Sequence, residues 1–421
     1  MDFDANIRAA FEELPDALVA EVGLERALEL TEKQPELLTE AIKKATEASG
    51  RALAERLKDD GPAMLARRRA ERRAFEERLA RRWAPPFDLA QMAMVVSYEA
   101  GEAFNEKHWQ AAEGENDVVF VVLVRLHARA CRIAEEVLVL LKAGFGQAAL
   151  ARWRALHEVA VVAFFIKEHD RDTAERYLLH ENVEAWKGME ELQARVDRLG
   201  HEPFTEDELD TAKAAYEELV DRYGRKYASP YGWAQAALAA ENPKYEKDTV
   251  TFRSIEEAVS LDHLRPYYRM ASHGTHANPK GILFTPDALK SEPEVLLAGP
   301  GSTGLADPGQ CALLSLTQVT TTLLTYKTGE SAPLILTALL QLTDEAANAY
   351  VETQRAVERG DEVLSYGLFT RTRYRAAPRI AVERVRLRRA GYTAMRWARE
   401  QLRRRGTSDS PSAGPAETQS K

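Results

Sequence analysis

A chain of 421 residues with 45% hydrophobic, 29% charged and 8% aromatic side chains has the composition of an ordinary globular protein and excludes wholesale disorder. At roughly 100–200 residues per unit, two or three units are expected. Two cysteines, Cys131 and Cys311, exclude a disulfide framework and match no zinc-ligand spacing, and neither a leader-like start nor an apolar run near 18 residues is present, so a cytoplasmic, non-membrane protein is expected. The net charge of −9 is unevenly spread. Arg371–Arg405 carries 13 arginines against Glu383 and Glu400, making this segment +11 and the remainder −20.

Apolar positions recur at three- and four-residue steps through the first 84 residues, and Ala84-Pro-Pro-Phe87 breaks that pattern. Within it, Met64–Trp83 holds eight arginines and three glutamates, the pattern of a solvated helix. Long helices are then predicted at about 88–112, 117–143, 147–169 and 171–197, with Gly144-Phe-Gly146 as a turn. Shorter ones follow near 205–222 and 253–272, and a long loop rich in glycine and proline spans 273–309. Helices near 309–328 and 333–358 complete the core; Thr317–Thr325 is β-branched enough for a strand, but no neighbouring segment offers a partner. The fold class is all-α: a multi-helix bundle core over 85–358, a helical N-terminal region over 1–84, an arginine-rich helical segment over 359–405 and a disordered tail over 406–421.

Ionisable side chains in an apolar helix mark a departure from plain packing, because burial without partners is costly. Between Leu150 and Ile166 the chain carries Arg152, Arg154, His157 and Glu158. On a helical wheel Arg154, His157 and Glu158 share about 100° while Arg152 lies elsewhere. Partners are sought in His180, Glu181 and Glu184, or in Ser272, His273, His276 and Asn278. A dinuclear centre is unsupported, since no histidine has a glutamate three residues before it; a His273–His276–Glu158 metal site is weakened by the glycine between the two histidines. Ser272 and Cys131 lack a nucleophile-elbow context, and Gly299–Gly304 lacks a P-loop lysine. No metal and no cofactor are expected.

An Arg-x(4–6)-His spacing occurs at Arg152–His157, Arg195–His201 and Arg269–His276, about as often as chance in a chain this rich in arginine. The last of these ends a helix in a polar loop and is similar to the phosphate-binding motif of HEPN-type ribonucleases, although Met270 stands where that family often has a polar residue. The order Arg154-x-x-x-Glu158, Tyr177, then Tyr268-Arg-Met-Ala-Ser272 with His276 and Pro279 resembles an uncharacterised bacterial helical family, a domain of unknown function, over roughly 115–345. That resemblance implies a shared polar centre and carries no activity.

Two readings stand. The first is a nucleic-acid-associated protein, a metal-independent endoribonuclease of the toxin or defence kind. In it Arg269 and His276 hold phosphate, His157 and Glu158 act as catalytic or orienting groups, and Arg154, Ser272, His273 and Asn278 position the ligand. Arg371–Arg405 adds contact with RNA or another polyanion. The second is a non-catalytic scaffold or binding protein whose Arg/His/Glu cluster is a structural network, the arginine-rich segment docking on the acidic remainder or on a second copy of the chain.

Overall fold

A computed structural model describes residues 35–277, 279–283, 298–327 and 332–359. The arginine-rich segment, the predicted tail, Asn278, residues 1–34 and residues 284–297 of the predicted 273–309 loop lie outside the described residues; the rest of that stretch is not all loop, since helix runs on to Thr275, recurs over Pro279–Leu283 and starts again at Ala306. Every regular element among those described is helical, and contacts divide the chain into Met1–Arg78 and Leu79–Lys421.

The first helix, α1, spans Pro35–Arg82. Its charges pair along its own surface, as in Lys58–Glu55 at 2.7 Å, Arg68–Glu71 at 3.6 Å and Arg72–Glu76 at 2.5 Å, each worth a few tenths of a kcal/mol. The interleaved arginines and glutamates therefore pair locally along the helix, and Phe75 and Leu79 on the same helix, with Trp83 just past its end, are buried.

In the second unit α2 (Ala84–Gly114), α3 (Val118–Lys142), α4 (Gly146–Glu168) and α5 (Arg171–Gln193) follow in close succession. Pro85 and Pro86, which break the periodicity in sequence, occupy the first turn of α2, where missing N–H groups are tolerated. Asp117 caps α3 by accepting from the Phe120 backbone N–H, and Gly144 supplies the left-handed turn (φ 81°) into α4. After α5 come α6 (Val196–Leu199), α7 (Glu206–Tyr223), α8 (Gln235–Glu241), α9 (Lys244–Lys247), α10 (Phe252–Ala258), α11 (Arg265–Thr275) and α12 (Pro279–Leu283). The last two are α13 (Ala306–Leu324) and α14 (Ala332–Glu358).

The bundle is built on α13, which packs against α2, α3, α4 and α14, while α3 also packs on α2 and α4. Its threonines do not make it a strand, because their hydroxyls are satisfied within the helix: Thr320 donates to the Leu316 carbonyl at 3.0 Å and Thr322 to that of Gln318 at 2.8 Å. Thr317 and Thr343 bond each other across to α14 at 2.8 Å. Trp153 of α4, fully buried, donates its indole N–H to Ser315 of α13 at 3.0 Å. At the far end of α13, Asp117 also accepts from the Tyr326 hydroxyl at 2.8 Å and pairs with Lys327 at 3.0 Å. One carboxylate thus holds the start of α3 and the residues just past α13.

One predicted helix is corrected. The pattern over 253–272 reads as continuous, but the chain breaks after α10 at Val259–Leu261, with Ser260 in the left-handed region (φ 55°), and restarts at α11 with Pro266 in its first turn. Both pieces pack on α4.

Candidate functional site

The polar groups of α4 meet α10 and α11, and the break between those two helices decides their partners. His157 is fully buried, stacked on Trp153 with ring centroids 5.4 Å apart and flanked by Phe252 at 6.0 Å and Tyr268 at 5.9 Å. Its Nε2–H donates to the Glu256 carboxylate at 2.8 Å, and Glu256 is itself fully buried. The second carboxylate oxygen of Glu256 accepts from the Arg265 guanidinium. Burial alone would push the Glu256 carboxyl up, but the hydrogen bonds from His157 and Arg265 outweigh it and hold the pKa below the usual glutamate value. His157 Nδ1 is buried and has no hydrogen-bond partner among the described residues.

One turn away the same helix carries a more open network. The Arg154 Nε–H donates to Glu158 at 3.2 Å, and the Tyr268 hydroxyl donates to the same carboxylate oxygen at 2.5 Å. Burial, and then the neighbouring Glu158 carboxylate, raise the Tyr268 pKa, so its phenol stays protonated and remains a donor. Arg154 sits 4.5 Å from the centre of the Tyr268 ring and Arg265 5.7 Å from it. The two guanidinium side chains are 28% and 29% exposed, so the pair reaches solvent where His157 and Glu256 do not. Tyr231, half-buried, lies close enough to feel both the Glu158 and Arg154 charges.

The expected partners are replaced. Arg154, His157 and Glu158 do turn toward one side of the bundle, but they meet Glu256, Arg265 and Tyr268 rather than either group chosen from the sequence. His180 instead holds the turn after α7, where its Nε2 binds the carbonyls of Tyr227 at 3.1 Å and Ser229 at 2.9 Å. Glu181 and Glu184 are exposed on α5, Glu184 facing His180 and Lys187. Ser272 donates to the Tyr268 carbonyl at 2.9 Å, which occupies its hydroxyl within α11. Arg269 and His276 are exposed, His276 immediately after the last turn, and His273 is half-buried. Of the Arg–His spacings, Arg152–His157 is divided: Arg152 pairs with Glu136 of α3 while His157 faces α10. Among the described residues no three His, Cys, Asp or Glu side chains converge as a metal site.

Glu256 and Arg265, which complete the buried network, are absent from the residues singled out by sequence. On one continuous helix, nine residues would place them about 180° apart and some 13 Å along the axis. Pro266 was the available signal, since proline favours the first turn of a new helix.

Residues 120–287 match a family of unknown function (DUF5677). The expected likeness to an uncharacterised family therefore stands over α4 through α11, which carry every residue of both networks; the matched segment ends well short of residue 345. The matched family model adds nothing to the expected likeness to HEPN-type ribonucleases. No curated protein and no solved structure matches the chain.

Proposed function

We propose that the Arg154–Glu158–Tyr268 edge and the exposed side of α11 bind the phosphates of a nucleic acid, RNA being the polyanion of choice. The observation that carries this reading is the convergence of the partly exposed Arg154 and Arg265 on one tyrosine ring. Each guanidinium has five N–H donors, and the ion pairs with Glu158 and Glu256 engage only part of that set. The carboxylates fix the two forks in place, and the outward donors suit an oxyanion, which guanidinium recognises in a bidentate way. Arg269 extends the charge along the helix: Arg265, Arg269 and Ser272 fall within about 60° of one another on α11.

In this reading His157 and Glu256 touch no ligand. They are positioning residues that clamp α10 and α11 to α4, and Glu158 orients Arg154 and Tyr268. Arg371–Arg405 supplies further contacts to the backbone of a long ligand, by the counterion release that clustered arginines give.

The test is fluorescence anisotropy with a labelled single-stranded RNA at low and raised salt. Arg154→Ala and Arg269→Ala are expected to weaken binding roughly tenfold, about 1.4 kcal/mol, with little change in thermal midpoint. Absence of binding by the wild-type chain at low salt would end the reading.

A second reading, metal-independent RNA cleavage, is favoured by one further observation: His276 is exposed just beyond the helix that carries Arg269, where a proton-transferring imidazole could reach a bound phosphate. Incubation of RNA in EDTA separates the two. Cleavage lost in His276→Ala with RNA binding retained supports it, whereas intact RNA at saturating wild-type protein leaves binding alone.

A further inference from the structure

A second site lies on the other side of the bundle. Helices α2, α3 and α13 line a half-open cavity of about 520 Å³, inside the roughly 300–1,000 Å³ range of small-molecule pockets. Its walls are mainly apolar, with Met94, Val95 and Tyr98 from α2, His127 and Cys131 from α3 and Leu323 from α13. Val95 is 46% exposed and Tyr98 58% exposed, an arrangement that leaves apolar surface open to an occupant.

Of the polar residues that line it (Gln91, Glu102, Asn105, His127, Arg132 and Glu135), His127 is the buried one. His127 is 5% exposed, and its ring fills the space where Gly101 has no side chain: a Cβ there would lie 2.2 Å from Cε1. Burial lowers the pKa of His127 to about 4, so the imidazole is neutral at ordinary pH. The Thr320 hydroxyl spends its proton on the Leu316 carbonyl, so it accepts from His127, 3.1 Å away, and the ring proton sits on Nε2. Nδ1 is left as an acceptor. The Cys131 sulfur lies 3.8 Å from Nδ1 and 3.9 Å from Nε2, and a thiol is a weak donor that a hydroxyl or N–H on an occupant would displace from Nδ1. Burial also pushes the Cys131 thiol up to about 11, which removes thiolate chemistry from the pocket.

We propose that this pocket binds a small, uncharged aromatic molecule bearing one hydrogen-bond donor, whose ring lies among Met94, Tyr98 and Leu323 and whose donor meets Nδ1 of His127. Thioether and aromatic walls favour a ring. The exposed Glu102 and Glu135 at the mouth disfavour an anion, and Arg132 beside them faces Glu136 at 3.5 Å. This site is independent of the RNA reading, and its α2 and α13 walls lie outside the matched family segment.

The experiment titrates the full chain with 1-naphthol by calorimetry, beside 1-methoxynaphthalene, which keeps the ring and lacks the donor. Saturable binding of one naphthol per chain is expected, with the methoxy compound at least tenfold weaker. Ala128→Trp, which fills the pocket from an exposed position, is expected to abolish binding without lowering the thermal midpoint. Absence of saturable binding, or binding indifferent to Ala128→Trp, overturns the site. Equal affinity for the two compounds overturns the role of His127 without relying on a variant of that buried residue.

Discussion

The His157–Glu256–Arg265 and Arg154–Glu158–Tyr268 networks hang from the same stretch of α4, each pairing a glutamate with an arginine, and differ in water access. In the first, the imidazole and carboxylate are fully buried, and only the guanidinium reaches the surface. In the second, the carboxylate and guanidinium are both about one-third exposed. A sealed charge must be compensated inside the protein, so its removal is felt as lost stability; a half-open charge keeps its hydration, and its removal is felt mainly by whatever binds there. Residue type alone does not separate the two roles.

The largest effect is expected from Glu256→Ala, which strips both His157 and Arg265 of their acceptor. About 3–5 kcal/mol of unfolding free energy should disappear in urea titration, as for other broken buried pairs. A loss below 1 kcal/mol would mean that the sealed network is not the clamp described here.

Acid titration gives the next test, with His127 as the yardstick for a buried group that has no carboxylate partner. Its folded pKa near 4 is depressed from the ordinary 6.5. The unfolded chain therefore takes up a proton that the folded chain refuses as pH falls from 6.5 to 4, and stability declines by about 3 kcal/mol over that window. His127→Phe should flatten that slope. Glu256, also depressed, contributes stability that is fully present above the ordinary glutamate range and is lost as pH drops through its lower folded pKa, so Glu256→Gln should alter the more acidic limb.

Smaller changes belong to the open network. Tyr268→Phe removes one hydrogen bond to an ionised carboxylate and should cost about 1.5–3 kcal/mol, read by thermal and chemical unfolding. Arg154→Ala should cost under about 1 kcal/mol of stability while weakening RNA binding tenfold. An Arg154→Ala protein that is strongly destabilised yet binds RNA normally would reverse the assignment of roles.

The sequence already showed the helical architecture and the polar helix, because amphipathic spacing and the Gly144 turn are local signals; the Ala84–Phe87 break marked a boundary, but its prolines begin the next helix, four residues before the expected start at 88. It pointed to Arg154, His157 and Glu158 as one convergent set, since three ionisable groups in an apolar helix are conspicuous whatever the tertiary fold. Their partners were not legible. Glu256 lies in a short seven-residue helix, and its meeting with Arg265 depends on a break centred on Ser260, a residue type that does not announce a left-handed backbone. Gly101 and His127 were equally silent, because a glycine inside a helix signals close approach only once the neighbouring helix is in place.

Asp117 carries a consequence of a different kind. Its carboxylate binds the first turn of α3 together with Tyr326 and Lys327 beyond the end of α13, two places more than 200 residues apart in sequence. Fraying at either end deprives the other of its anchor, so the amide protons of the α3 first turn and the α13 last turn should exchange with solvent as a single cooperative opening, and Asp117→Ala should uncouple them.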